Sequence, residues 1–328
     1  MFLKKTMKET LLVVEKIGKS FGKNKILTDV SFDVKKGEII GLIGASGSGK
    51  TTLLNTLIGF VSPDTGTVKY KKQNMITNTP QYESVYKNKR KFKNVYGFAA
   101  QLPSFYEKLT VKENLYYFGE LYGLNKDVLD SNVESLLKLI ELESSSNILG
   151  KNLSGGMERR LDIACSLIHN PEVLIMDEPT SDLDPLLRRN IWALVKQINK
   201  KGTTVIVSSH HLNELETLCD RIAIIKDGEL KDIETPEALK EKYLKHHEIR
   251  IETYPGRYRE IKQKIHKKFP KEIKKIEERG SEIIFFCEDH RNVLNQIVKE
   301  IEDNKEKIIE LKLVKPSLNQ VFINLNIT

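Results

Sequence analysis

Short apolar runs alternate with longer amphipathic stretches over the first two thirds of the chain. Leu11–Ile17 and Ile26–Val34 are rich in β-branched residues and predict two strands. Glu38–Ile43 is a nearly continuous apolar run, typical of a strand buried on both faces of a parallel sheet. Further buried strands are predicted at Val95–Ala99, Val173–Asp177, Thr204–Ser208 and Ile222–Ile225. Because predicted helices separate most of these strands, we expect an α/β core.

Two segments interrupt this alternation. Residues 71–94 are polar, lysine-rich and weakly patterned, so we expect a surface excursion there. Residues from about 102 to 168 predict helices, and Thr110 with Glu113 forms a capping-box sequence at the start of one of them. We therefore predict a helical subdomain inserted between strands of the core.

The pattern changes near Tyr243, and we place a domain boundary there, with residues 1–240 as the first domain and 241–328 as an accessory domain. A strand is expected at Glu248–Thr253 and a hairpin across Gly280. With two helices and a last strand at Ile308–Val314, the predicted order is βαββαβ. That order predicts a small α+β, ferredoxin-like appendage.

The composition is that of a protein that forms a core, with 39% hydrophobic and 30% charged residues. No apolar run approaches the roughly 18 residues of a membrane helix, and no secretory signal is expected, so a membrane role would need a partner. The three cysteines are far apart and fit a reduced, cytosolic compartment. The net charge of +8 is carried by bases interleaved with acids, so no nucleic-acid partner is expected.

A glycine-rich loop follows the strand at Glu38–Ile43. Its residues fit the pattern G-x-x-x-x-G-K-[ST] and are Gly44, Ala45, Ser46, Gly47, Ser48, Gly49, Lys50 and Thr51. Glycines let the backbone approach a triphosphate, and successive N–H groups with the helix N-terminus bind its charge. Lys50 is expected to contact the β- and γ-phosphates of ATP, and the Thr51 hydroxyl to hold Mg²⁺.

Two acids end the buried strand at Val173–Asp177. Ligands sit at the carboxyl edge of open α/β sheets, which is where Asp177 and Glu178 are expected to lie. We interpret Asp177 as a Mg²⁺ ligand and Glu178 as the group that orients or deprotonates the attacking water. The alternative is a pair of solvated turn acids, which the neighbouring phosphate loop disfavours.

A third motif opens a predicted helix and consists of Leu153, Ser154, Gly155, Gly156 and Met157. Together with the two motifs above, it resembles the nucleotide-binding domain of ATP-binding cassette (ABC) proteins. The resemblance covers about residues 8–240 and implies a P-loop NTPase core with a parallel sheet and an antiparallel N-terminal β subdomain. It also implies that this signature motif acts in trans, capping the γ-phosphate held by a second subunit.

Other positions match the same family. The resemblance implies that Phe21 stacks on adenine, although a core phenylalanine is the alternative, and that Thr52 belongs to the nucleotide site. It further implies that Gln101 senses Mg²⁺ and water, and that His210, rather than the adjacent His211, contacts the γ-phosphate. The loop along the dimer seam is matched by Ser181, Asp182, Leu183 and Asp184. Asp182 departs from the alanine or glycine that the family more often has.

The last residues of the chain, Lys315–Phe322, resemble the closing segment of ABC-2-type exporter ATPases. That resemblance implies an ATP-hydrolysing homodimer, or a pair with a related ATPase subunit, bound to a separate integral membrane permease. It places the chain at the cytoplasmic face of the membrane. The alternatives are a soluble mechanical ATPase that has no permease and a nucleotide-binding regulator without turnover, against which the intact Glu178 argues.

Overall fold

A computed structural model describes residues 8–73, 80–87, 92–243, 247–287, 290–314 and 317–325. Contacts divide the chain into two compact units, with the division between Thr235 and Pro236. We call them the ATPase unit and the C-terminal unit. No helix in these described ranges is long and apolar enough to span a bilayer.

The centre of the ATPase unit is a six-stranded sheet with the order β10-β9-β3-β8-β7-β6. Its strands are β3 (Ile39–Ile43), β6 (Tyr96–Ala99), β7 (Val173–Asp177), β8 (Thr204–Ser208), β9 (Arg221–Lys226) and β10 (Glu229–Glu234). Strands β6, β7, β8, β3 and β9 are parallel, and β10 is antiparallel to β9. Every residue of β3, β7 and β8 is buried, as their continuous apolar runs predict.

A second, antiparallel sheet has the order β2-β1-β4-β5. Its strands are β1 (Thr10–Phe21), β2 (Asn24–Lys35), β4 (Thr65–Gln73) and β5 (Pro80–Ser84). The expectation of an unpatterned excursion at residues 71–94 is therefore wrong in part, because β4 extends to Gln73 and pairs with β5. The part of the excursion at residues 74–79 and 88–91 lies outside the described residues.

Helices cover the central sheet and form the predicted insertion. Their bounds are α1 (Lys50–Leu57), α2 (Val111–Leu121), α3 (Lys126–Ile140), α4 (Gly155–Leu167), α5 (Pro185–Lys200) and α6 (Leu212–Leu218). The capping box at the start of α2 is confirmed, since the Thr110 hydroxyl accepts from the Glu113 N–H at 3.1 Å and the Glu113 carboxylate accepts from the Thr110 N–H at 2.8 Å.

The C-terminal unit contains a four-stranded antiparallel sheet with the order β12-β13-β11-β14. Its elements are α7 (Pro236–Tyr243), β11 (His247–Tyr254), α8 (Tyr258–Lys268), β12 (Ile273–Arg279), β13 (Glu282–Cys287), α9 (His290–Asp303), β14 (Lys307–Val314) and α10 (Leu318–Asn324). The βαββαβ order with this strand arrangement confirms the ferredoxin-like prediction. Isoleucines of the sheet and of α8 and α9 form its core.

Candidate active site

The glycine-rich loop joins the buried strand β3 to α1. Gly49, at the N-cap of α1, has φ 101°, a conformation that favours glycine. A Cβ on Gly44 would meet the Ile225 carbonyl oxygen at 2.4 Å, so only glycine fits there. The sequence therefore builds a tight turn that leads directly into the N-terminus of α1, where backbone N–H groups can bind an anion.

Lys50 lies inside this loop and is buried. Its ammonium donates to the carbonyls of Gly44 at 2.9 Å and Ala45 at 3.1 Å. Burial lowers the pKa of Lys50, against the opposing effect of the nearby carboxylates of Glu178 and Asp177. The lysine is thus held beside two acids at the mouth of an anion-binding turn.

The carboxyl ends of β7 and β8 bring together the acids and the histidine. Asp177 is buried and accepts a hydrogen bond from the Ser208 hydroxyl at 2.5 Å. The same hydroxyl accepts from the Glu178 N–H at 2.9 Å, which ties the two strand ends together. The Glu178 carboxylate lies 2.5 Å from Nδ1 of His210, which donates this hydrogen bond because a carboxylate oxygen only accepts.

A cleft of about 470 Å³ collects most of the residues predicted for nucleotide chemistry. Its lining includes Gly44, Ser46, Gly47, Gly49, Lys50, Thr51, Thr52, Gln101, Glu178 and His210, with Ile26. These residues come from five separate segments of the sequence. The structure thus places the lysine, the acid, the histidine and the glutamine around one open volume, where a phosphate chain and a water molecule could both be held.

Several predicted residues do not line this cleft. Phe21 lies at the end of β1 with 52% of its surface exposed, and Lys19 Nζ is 5.3 Å from its ring centre. Ser154 and Gly155 are exposed at the N-terminus of α4, whereas Leu153 and Gly156 are buried. The Ser154 side chain makes no capping hydrogen bond. The signature motif therefore offers a free helix N-terminus away from the cleft of its own chain.

The backbone conformation of the seam loop accounts for the aspartate at position 182. Asp182 has φ 61°, in the left-handed region that aspartate tolerates better than most non-glycine residues. Asp184 caps α5, accepting from the N–H groups of Leu186 at 2.8 Å and Leu187 at 3.0 Å. A Cβ on Gly156 would meet Leu187 at 2.8 Å, so the signature helix packs closely on α5.

The donor set fits a magnesium triphosphate. The buried hydroxyl of Ser48 has no hydrogen-bond partner within the described ranges, as expected of a loop that binds an anion. The described residues contain no group of three or more His, Cys, Asp or Glu side chains that could hold a metal alone. Mg²⁺ is commonly bound by one or two carboxylates together with substrate phosphates, a role that Asp177 and Thr51 suit.

Sequence reasoning missed Arg159, a buried residue of α4. Its guanidinium donates to the carbonyls of Pro179 and Ala100, both at 2.7 Å, and pairs with Asp162 at 3.2 Å. It also reaches the Glu178 carbonyl at 3.3 Å. Asp162 in turn accepts from Ser104, so the signature helix is tied both to the Glu178 loop and to the segment around Gln101. The sequence held one local indication of this role, the i, i+3 spacing of Arg159 and Asp162, which places them on the same face of the helix.

A second missed group surrounds Glu214 of α6. Its carboxylate accepts from the Trp192 indole at 2.7 Å and pairs with Arg188 at 3.6 Å. Arg188 also donates to the Leu183 carbonyl at 2.7 Å and lies 3.3 Å from Nδ1 of His211. This network joins the seam loop to the segment that carries His210, and it shows that His211 points to α5.

Comparisons with known proteins agree with this geometry. The family model described as "ABC transporter" matches residues 27–181, and that of the DrrA1-3-like C-terminal domain matches residues 235–325. The linearmycin resistance ATP-binding protein LnrL of Bacillus subtilis (strain 168) is 33% identical over 315 residues, 96% of this chain and 98% of that protein. The chain belongs to the ABC transporter family.

A Nod factor export ATP-binding protein I, from Bradyrhizobium diazoefficiens, is 37% identical over 65% of this chain and 66% of its own length.

Solved structures of ABC ATP-binding subunits share the fold. The structure of cbiO1 from Clostridium perfringens, part of the cbiONQ transporter complex, covers 80% of this chain and 97% of its own. It has a TM-score of 0.62 and 25% identity. The P-loop NTPase fold and the family resemblance are therefore confirmed. This chain is an ATP-binding subunit of an ABC transporter, and it hydrolyses ATP.

Proposed function

We propose that the chain is the ATPase subunit of an exporter, and that two ATPase units close around two molecules of ATP to drive a separate membrane permease. The observation that carries the proposal is the division of the site. Lys50, Glu178 and His210 line one cleft, while the exposed Ser154 lies outside it and is free to meet the cleft of another chain.

Within one chain, the cleft residues have distinct roles in the proposal. Lys50 would leave its loop carbonyls for the phosphate oxygens, which offer charge-assisted hydrogen bonds in their place. Thr51 and Gln101 of the cleft, together with the buried Asp177 at the end of β7, would hold Mg²⁺, which supplies charge neutralisation at the phosphates. Glu178 orients the attacking water. Phosphoryl transfer depends mainly on positioning and electrostatics, which such a cleft provides.

His210 is positioned to control Glu178. The 2.5 Å hydrogen bond between them fixes the direction of the carboxylate in the open chain. We infer that the imidazole also faces the γ-phosphate, so that the histidine links the presence of that phosphate to the orientation of the general base. Release of the γ-phosphate after hydrolysis would remove one partner of His210, which favours separation of the two ATPase units.

The second half of the site comes from the partner chain. A helix N-terminus binds anions through its free N–H groups, and the exposed start of α4 at Ser154 and Gly155 offers such a site. The seam loop lies next to it, because a Cβ on Gly155 would be 3.9 Å from the Leu183 side chain. Closure of two units would therefore complete both sites together, which supports a homodimer or a pair with a related subunit.

Export is supported by two relatives. The names of two aligned proteins refer to linearmycin resistance and to Nod factor export, and the first aligns over nearly the whole of both chains. No described helix of this chain can cross a membrane, so the proposal assigns translocation to a separate permease. The chain would sit on the cytoplasmic face of the membrane through that partner.

A pull-down tests the assignment. The tagged chain is recovered from its native cells in mild detergent, beside a Lys50→Ala variant as the nucleotide-binding control, and the partners are identified by mass spectrometry. We expect a polytopic membrane protein in comparable amount, with its recovery dependent on nucleotide in the parent and not in the variant. Recovery of soluble partners alone would contradict the exporter and favour a mechanical ATPase without a permease.

A further inference from the structure

The C-terminal unit has an unusual edge strand. β14 pairs with β11 on one side, and among the described residues no strand pairs with its other side. Such an edge leaves every second N–H and C=O group unpaired along its length. Six of the eight residues of β14 are exposed, whereas four of the six residues of β13, inside the same sheet, are buried.

The exposed residues of β14 form two rows. Leu311 and Leu313 stand opposite Ile251 and Ile249 of β11, so they lie on the helix-covered face, yet 37% and 48% of their surfaces are exposed. Ile309, at a bulge in the pairing with β11, is 60% exposed. Two leucines therefore line the helix-covered side of an open sheet edge, and a third large aliphatic residue, Ile309, is exposed along the same edge.

The other row carries charges of opposite sign. Glu310 and Lys312 stand opposite Glu252 and Arg250 of β11 and pair with one another at 2.7 Å. A lysine on an edge strand usually blocks pairing with another chain. Here the lysine is two residues from a glutamate, so one register of self-pairing places each charge opposite its complement.

We propose that β14 pairs antiparallel with β14 of a second copy of this chain, joining two C-terminal sheets into one eight-stranded sheet. The pairing is centred on Leu311, which faces its own copy. Glu310 then faces Lys312 of the second copy and Ile309 faces Leu313, and both pairs occur twice by symmetry. The interface combines backbone hydrogen bonds, two ion pairs and a continuous apolar row.

The charges select this register over its neighbours. Moving the centre by one residue places Glu310 opposite its own copy, or Lys312 opposite its own copy. Like charges directly opposite each other destabilise a strand pair, whereas opposite charges contribute to its stability. Leu311 faces an aliphatic residue in all three registers, so the apolar row supplies affinity while the charged row supplies specificity.

This contact rests on the proposed pairing of two chains but uses no nucleotide. In the proposed function the ATPase units meet through ATP, whereas the β14 edges can stay paired when the cleft is empty. The C-terminal units would thus keep two copies together between cycles, and reassociation of the ATPase units would become an intramolecular step. Failure of this interface leaves the ATP-dependent contact intact, and the reverse also holds.

Cysteine cross-linking of the full chain without nucleotide tests the register. The native cysteines, Cys165, Cys219 and Cys287, are buried, so the parent should not cross-link. Leu311→Cys places two thiols at facing positions, where Cα atoms lie about 4.5–5.5 Å apart, within reach of a disulfide. Leu313→Cys is the matched control, because four residues along the strand separate the two thiols by about 13 Å.

We expect a reducible dimer from Leu311→Cys and none from Leu313→Cys. Equal yields from both variants, or no product from a Leu311→Cys chain that unfolds at the parent midpoint, would overturn the proposal.

A charge exchange tests the same interface without oxidation. Glu310→Lys places like charges opposite each other twice, so we expect about tenfold weaker dimerisation in sedimentation equilibrium. Adding Lys312→Glu to that variant restores opposite charges and should restore the affinity of the parent. A double variant that associates as weakly as the single one, or a single variant that associates as the parent does, would contradict the pairing.

Discussion

The two units of the chain bury charged side chains in different surroundings. In the ATPase unit, Lys50 and Glu178 border an open cleft, and within the described part of the chain the Lys50 ammonium donates only to carbonyls of its own loop. In the C-terminal unit, the buried Glu306 accepts from Thr253, from two backbone N–H groups and from the Arg257 guanidinium, all within 3.1 Å. A buried charge that borders a cleft is available for chemistry, whereas one enclosed by donors stabilises the fold.

The largest effect is expected at Glu178. Glu178→Gln keeps the shape of the side chain but removes the base, so we expect about 10²–10⁴-fold slower ATP turnover with retained ATP binding. Phosphate release and retention of labelled ATP after gel filtration measure the two properties. Turnover at the parent rate would show that another group activates the water.

A substitution at Arg159 tests whether this buried charge stabilises the fold of the ATPase unit. Arg159→Met removes a buried guanidinium and leaves Asp162 without its ion-pair partner, which should destabilise the ATPase unit by about 3–5 kcal/mol. Chemical denaturation measures the change. The adjacent Arg160→Met is the control, because Arg160 pairs with a largely exposed Glu141 and should contribute about 0–1 kcal/mol. An equal loss of unfolding free energy in both variants would contradict the structural role assigned to Arg159.

His169 is a buried titratable residue of the ATPase unit that does not line the cleft. Its ring stacks on Tyr122 at 3.6 Å, Nε2 is 3.0 Å from the Tyr96 carbonyl, and Nδ1 has no partner in the described part of the chain. Burial lowers the pKa of His169 to about 4. The unfolded chain therefore binds the proton first, and stability falls as the pH drops from about 6.5 to 4, by up to about 3 kcal/mol.

Urea unfolding at several pH values, in the parent and in His169→Gln, measures that contribution as the difference between the two pH profiles. Parallel profiles would show that His169 does not titrate in this way.

The smallest change is expected at Glu306. Glu306→Gln keeps one acceptor and removes the charge, so we expect a loss of about 1–3 kcal/mol in the stability of the C-terminal unit. ATP turnover by the folded chain should not change, because this carboxylate borders no nucleotide cleft. A variant with parent stability and reduced turnover would contradict the comparison between the two units.

The positions of the candidate site residues in the fold could be predicted where those residues are contiguous with a buried strand. The phosphate loop, the acids after β7 and His210 each follow a buried strand, and parallel strands bring such ends to one sheet edge. Sequence reasoning failed for β5, because a short polar edge strand lacks an apolar signal. It also failed for Arg159, whose partners are carbonyls far away in the sequence. The chemical roles of all the candidate site residues stay predictions, because a nucleotide is needed to test them, and those of Ser154 and the seam loop also need a second chain.

The most direct test of a shared site is complementation between two inactive variants. Lys50→Ala disables the phosphate loop and Ser154→Arg blocks the signature motif, so each homodimer lacks both complete sites. In an equal mixture, half of the dimers contain one of each, with one complete site out of two. The account predicts that ATP turnover in the mixture rises to about a quarter of the parent rate. Turnover equal to the average of the two variants measured separately would contradict a site built from two chains.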